Sequence, residues 1–137
     1  MKWYPQEHFE KVEQITIQFL RKKGIKALIL DVDNTLIDYN KNLSQSIIDW
    51  VKELKGQGIK LYILSNTSQK EKVEKVAKTL EIPYQNLAKK PFKKGFIKIQ
   101  KILKEKPEKI GVVRRSNFYG YPWWKSLPHV YYTSRAN

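Results

Sequence analysis

The chain has 137 residues, no cysteine, and 27 Lys and Arg against 13 Asp and Glu, for a net charge of +14. That length buries one core but not two, and the lack of cysteine excludes a disulfide framework and a thiol-ligated metal site. No apolar run approaches the roughly 20 residues that span a bilayer, and Met1 to Pro5 lacks the apolar core of a signal peptide, so the expected location is the cytoplasm.

Residues 6–22 read as a helix, with Phe9, Val12, Ile15 and Phe19 at helical spacing. A strand follows over 25–31, then a helix near 44–56 and a strand over 59–64. A helix over 69–80 leads to a short strand near 84–88, a helix over 92–104 and a strand over 109–113. Strand–helix alternation without a linker or an internal repeat predicts an α/β fold, a parallel sheet with helices on both faces.

Chemistry gathers where the strands should end. Leu28-Ile29-Leu30 delivers Asp31-Val32-Asp33-Asn34-Thr35-Leu36 to the carboxyl edge of a buried strand, where open α/β sheets place their sites. Carboxylates there can hold Mg²⁺, and an Asp can itself attack phosphorus. The bland alternative is a strand followed by an Asp/Asn turn. The second strand ends in Ser65-Asn66-Thr67, whose hydroxyls and backbone N–H groups suit a phosphoryl oxygen. Next comes Ala88-Lys89-Lys90-Pro91, a lysine at a helix start that can neutralise both an aspartate and a transferring phosphoryl group. Each piece is weak alone; the three in this order are much stronger.

Other residues carry less. His8 lies in the amphipathic helix over 6–22 and His129 in the C-terminal tail, neither in a metal-ligand cluster, and Asp38 reads as a loop residue. Trp3 and Tyr4 suit a lipid interface but equally cover a core edge. The basic balance favours anionic partners such as phosphate esters, anionic headgroups or nucleic acid. Its bland reading is a solvated lysine-rich helix face, of which Lys70-Glu71-Lys72-Val73-Glu74-Lys75 is an example.

The DVDNTL, ILSNT and AKKP motifs resemble the haloacid dehalogenase (HAD) superfamily of aspartate-nucleophile phosphatases. Within it the chain is most similar to subclass IIIA and the YqeG-type branch, related to phosphatidylglycerophosphate phosphatases. The resemblance covers residues 1–113, including Lys23-Gly24-Ile25-Lys26 and Ile82-Pro83-Tyr84. It implies a Rossmann-like HAD core in which Asp31 is the nucleophile and Asp33 the general acid/base. Ser65 would hold the phosphoryl group and Lys90 would be the motif III lysine, with Lys89 as runner-up. Asn34, Thr35, Asn66 and Thr67 would bind substrate, and Asp31 and Asp33 would hold Mg²⁺. Only 33 residues separate Asp31 from Ser65, too few for a large cap. An open site suits a phosphate protruding from a larger body or a membrane. The implied activity is Mg²⁺-dependent phosphomonoester hydrolysis of phosphatidylglycerophosphate or a similar lipid-linked phosphate, with peripheral membrane contact and no specific nucleic-acid partner. The rival is a non-catalytic anion- or RNA-binding relative that kept the fold and lost its metal site.

One part of the family pattern is missing. Members of this branch follow the next strand with Gly-Asp-Gln-x-x-Thr-Asp, whose acid completes the metal site. Here Lys109-Ile110-Gly111-Val112-Val113 is followed by Arg114-Arg115-Ser116-Asn117, and no Asp or Glu occurs from Arg114 to Asn137. That tail holds two of the four Trp, four of the eight Tyr and the basic residues Arg114, Arg115, Lys125 and Arg135. Among the synonymous codons that Arg114 to Lys125 permit is the set xGG AGA TCA AAT TTT TAC GGA TAT CCT TGG TGG AAx. Read one base later, they give Gly-Asp-Gln-Ile-Phe-Thr-Asp-Ile-Leu-Gly-Gly, the missing motif. Codons for His129 to Ala136 likewise allow Met-Tyr-Thr-Ile-Leu-Val-Glu-Pro, a β-rich run. Pro128 does not yield the Gly usual before that Met. Residues 1–113 therefore read as a HAD-like core and 114–137 as an out-of-frame tail that replaces motif IV and disrupts the last strand. The chain as it stands is expected to be impaired, with an open and aggregation-prone sheet edge.

Overall fold

The computed structural model describes residues 7–38, 42–65, 69–86 and 92–122. In chain order these form β1 (Glu7–His8), a 3₁₀ turn (Val12–Gln14), α1 (Ile17–Lys22), β2 (Ala27–Leu30), α2 (Gln45–Gly56), β3 (Lys60–Ser65) and α3 (Lys70–Leu80). There follow β4 (Tyr84–Asn86), α4 (Phe92–Leu103), a second 3₁₀ turn (Pro107–Lys109), β5 (Ile110–Arg114) and β6 (Asn117–Tyr119). One six-stranded sheet runs β1-β6-β5-β2-β3-β4. Its inner strands are parallel, with Leu30 opposite both Val113 and Ile63.

β2 is buried along its whole length, as an apolar strand covered on both faces must be. Alternation divides its side chains. Leu28 and Leu30 join Leu61, Ile63 and Val113 in a core with Ile17, Leu20, Trp50, Val51, Val73 and Leu80, from α1, α2 and α3. Ala27 and Ile29 join Tyr62, Leu64 and Val112 in a core with Phe96, Ile99 and Leu103 of α4. Helices thus cover both faces, as the alternation of elements predicts. Ser44 caps α2, its Oγ accepting the Ile47 N–H at 3.3 Å.

The first expected helix is broken. Thr16 caps α1 by accepting the Phe19 N–H at 3.1 Å, and Ile15 before it is extended. Upstream, Gln14 Oε1 accepts the N–H groups of Glu10 and Lys11 at 3.0 and 3.2 Å and closes the 3₁₀ turn. Helical spacing identified the residues that face the core, since Val12 and Ile15 are buried. The Thr cap and the β-branched run Ile15-Thr16-Ile17 split the helix that would have carried them.

The tail also departs from expectation. Where a disrupted last strand and an open edge are expected, β6 turns back antiparallel on β5, pairing Val113 with Phe118. β1 then pairs with β6, His8 opposite Asn117, so β5 is not an open edge. Aromatic edges lock this corner. Phe9 packs on Phe19 and Phe19 on Phe118, with ring centres 5.3 and 5.2 Å apart and near-perpendicular planes.

Phe118 has no exposed surface and lies over Gly111, where an added Cβ would meet ring carbons at 2.3 and 2.9 Å. Glycine is required there by close approach. Gly111→Ala is expected to lower stability by about 1–3 kcal/mol, with Phe118→Leu in the same chain recovering part of the loss. Thermal unfolding of the two variants checks this, and an unchanged midpoint for Gly111→Ala would contradict the packing.

Candidate active site

Parallel strands bring their carboxyl ends to one edge. Asp31 follows β2, Ser65 ends β3 and Arg114 ends β5. The Asp31 N–H donates to the Val113 carbonyl at 3.1 Å, extending the β2–β5 ladder by one residue. The chain then reverses around a single acceptor, the Val32 carbonyl, which takes the N–H groups of Thr35, Leu36 and Ile37 at 3.2, 3.0 and 3.2 Å. Asn34 stands at the apex with φ 59°, a left-handed conformation that Asn tolerates better than most residues. Val32, Leu36 and Ile37 anchor the turn in the core, whereas Asp33 and Asn34 face solvent.

Each carboxylate has a cation. The Asp31 carboxylate accepts the Val32 N–H at 2.9 Å, and its other oxygen lies 3.8 Å from Arg114 Nε, with both side chains 13% exposed. At an effective dielectric near 20 such a pair attracts by about 4 kcal/mol before desolvation is charged against it. Asp33 Oδ1 meets Lys72 Nζ of α3 at 2.6 Å. The Asp33 side chain is half exposed, so solvent leaves that pair worth roughly 0–1 kcal/mol. Asp31 is therefore held by a sheltered guanidinium, while Asp33 remains open to exchange with water.

Ser65 is almost fully buried at the end of β3, opposite Asn86 of β4. Thr35 is also buried, and its hydroxyl accepts the Arg115 N–H at 2.6 Å. This bond ties the loop after β2 to the β5–β6 turn. Asn66, Thr67, Lys89 and Lys90 lie outside the described residues, as do Trp3, Tyr4 and His129. His8 lies on the same edge but two strands beyond β5, opposite Asn117, its Nδ1 2.5 Å from Asn117 Oδ1. Asp38 is a loop residue as expected, its carboxylate accepting the Asn42 N–H at 2.8 Å.

Sequence reasoning missed two members of this site. In the sequence Lys72 reads as part of a solvated helix face, although a helix that starts just past a strand end turns its first residues toward that edge. Arg114 fell in the suspect tail. The hairpin that fixes it is strained, because its two central residues, Arg115 and Ser116, have φ of 53° and 65°. Two-residue turns of this hand favour Asn-Gly, and an L-residue there costs about 1–2 kcal/mol.

The implied Mg²⁺ does not fit the residues present. Among the described residues no three His, Cys, Asp or Glu side chains form a metal-binding group. The two available carboxylates already face cations, and Arg114 extends to Asp31 from the strand end where the missing acid is expected.

The mitochondrial PGP phosphatase profile matches residues 2–114, which is nearly the whole ordered sheet and both carboxylates. The chain belongs to this family. The match stops at Arg114, where the acids of the branch's fourth motif are replaced. This PGP phosphatase family member is 32% identical over 110 residues to YqeG of Bacillus subtilis strain 168, a protein assigned as a phosphatase. The alignment covers 80% of this chain and 63% of that one, so the chain spans less than two thirds of its relative's length. A solved structure from Vibrio cholerae, assigned as a 3-deoxy-D-manno-octulosonate 8-phosphate phosphatase, superposes with a TM-score of 0.58. It is 23% identical, with 72% of this chain and 60% of that chain covered. That likeness concerns the α/β fold alone.

Arg115→Asn with Ser116→Gly should relieve the turn and raise the thermal midpoint by roughly 3–8 °C, measured by calorimetry. Lys72→Met should change stability by less than about 1 kcal/mol, and a larger loss in denaturant unfolding would show that the pair is less solvated than its exposure indicates.

Proposed function

We propose that this PGP phosphatase family member is built to hydrolyse phosphate monoesters, with Asp31 as nucleophile. The observation that carries the reading is the pair Asp31 and Asp33 on the carboxyl edge of the central strand β2, one sheltered and one solvated. A sheltered carboxylate suits in-line attack on phosphorus, while a solvated one suits proton exchange. The Asp31 oxygen–phosphorus bond forms as the ester P–O bond breaks, and the leaving alcohol takes a proton from Asp33. Water then gives a proton to Asp33 and attacks phosphorus, releasing inorganic phosphate and the free Asp31 carboxylate. Ser65 and Lys90 are assigned to the phosphoryl oxygens, with Asn34, Asn66 and Thr67 beside them.

The family supports a lipid-linked glycerol phosphate as substrate. The net charge of +14 favours an anionic surface. No helix among the described residues is long and apolar enough to cross a membrane; the proposal includes a cytoplasmic location with peripheral contact at anionic lipid. The proposal extends to the tail. Residues 114–137 are out-of-frame sequence, and the frame-restored chain carries the acid that a Mg²⁺ site needs.

The pairing of Arg114 with Asp31 favours a second reading for the chain as it stands, an anion-binding relative with little turnover. Activity toward 4-nitrophenyl phosphate with Mg²⁺ separates the two. The unaltered chain is expected to be nearly inactive, whereas Arg114→Gly/Arg115→Asp should gain at least about a hundredfold. Adding Asp31→Asn should return that variant to background. Turnover that survives Asp31→Asn would remove Asp31 from the nucleophile's role.

A further inference from the structure

We infer that the Arg114 guanidinium takes the place of a divalent cation beside Asp31, making this a metal-free site for a tetrahedral oxyanion of the phosphate class. The inference rests on the Asp31 site assigned above and concerns what that site binds in the chain as it stands.

The sheet fixes the position of Arg114. β5 is bonded on one side to β2, with Leu30 opposite Val113, and on the other to β6, with Arg114 opposite Asn117. Arg114 is held by the β5–β6 ladder, one residue past the last β2–β5 pair, so its backbone stays at the strand end. Its Nε lies 3.8 Å from Asp31 Oδ2, and both side chains are largely sheltered from solvent. An ion bound to that carboxylate would sit about 2.1 Å from the oxygen, within a few ångströms of a guanidinium that cannot shed its proton. The two cations compete for one place, and only one of them is covalently attached.

What an ion supplies in such a site is positive charge, and the chain supplies it by other means. Arg114 and Lys72 each bring one positive charge, to Asp31 and Asp33 respectively, as much in sum as one divalent ion. An approaching phosphate dianion therefore does not meet two uncompensated carboxylates. The guanidinium also suits the ligand, since its planar fork matches phosphate oxygens in a way an ammonium does not.

Two binding experiments on the full chain test this. Manganese(II) is titrated and followed by electron paramagnetic resonance, and orthophosphate binding is measured by calorimetry in EDTA. The expected result is no bound manganese fraction that Asp31→Asn removes, together with phosphate binding in EDTA. Arg114→Met should weaken that binding by about tenfold or more, and Arg114→Lys, which keeps the charge without the fork, should fall between. Thermal unfolding confirms that each variant is folded. An Asp31-dependent manganese site in the unaltered chain overturns the inference, as does phosphate affinity that neither Arg114 variant moves. The hydrolysis reading fails separately: absence of turnover in Arg114→Gly/Arg115→Asp would leave both binding results standing.

Discussion

The register between β2 and β5 is the constraint on which the site depends. Leu30 lies opposite Val113, and the Asp31 N–H reaches the Val113 carbonyl at 3.1 Å. A parallel ladder between two buried strands has one register that keeps both sets of apolar side chains in their cores. A slip of one residue would turn Leu28 and Leu30 toward α4 and Ala27 and Ile29 toward the larger core. The packing of some thirty side chains thus fixes, at the strand ends, which residue of β5 stands beside Asp31. In this chain that residue is Arg114.

The consequence is electrostatic. A site built around carboxylates at a strand edge needs positive charge to admit a phosphoryl dianion. Here the charge comes from two side chains that differ in solvation. The Arg114–Asp31 pair is sheltered, and the Lys72–Asp33 pair is not. The same geometry that compensates Asp31 places a fixed cation beside it, so on the proposed reading binding and turnover set opposite demands on residue 114.

The hairpin that holds Arg114 is itself a compromise. Arg115 and Ser116 occupy left-handed backbone that neither residue type favours, and the Arg115 N–H is tied to the buried Thr35 hydroxyl. Phe118 offsets this cost by filling the space over Gly111 and meeting Phe19 edge to face. β6 is therefore a working strand of the sheet, although its sequence does not carry the family's fourth motif.

Much of this was legible in the residues. The apolar runs before Asp31 and Ser65, and the helical spacing of residues over 44–56, 69–80 and 92–104, state their structures locally, and DVDNTL, ILSNT and AKKP point to one chemistry. Local pattern failed where short-range competition or long-range pairing decided the outcome. The Thr16 cap split a helix whose apolar face had been read correctly, and the segment around Phe118 has no periodicity that announces a strand. Lys72 and Arg114 look like surface charge until the sheet closes, because 39 positions separate Lys72 from Asp33 and Arg114 reaches Asp31 only across a parallel ladder. The sequence by itself determined the elements from β2 to β5, the family and the two carboxylates, since those depend on neighbours a few residues apart. Only the tertiary structure decided which cations meet the carboxylates, because ion pairing depends on distances that strand register sets.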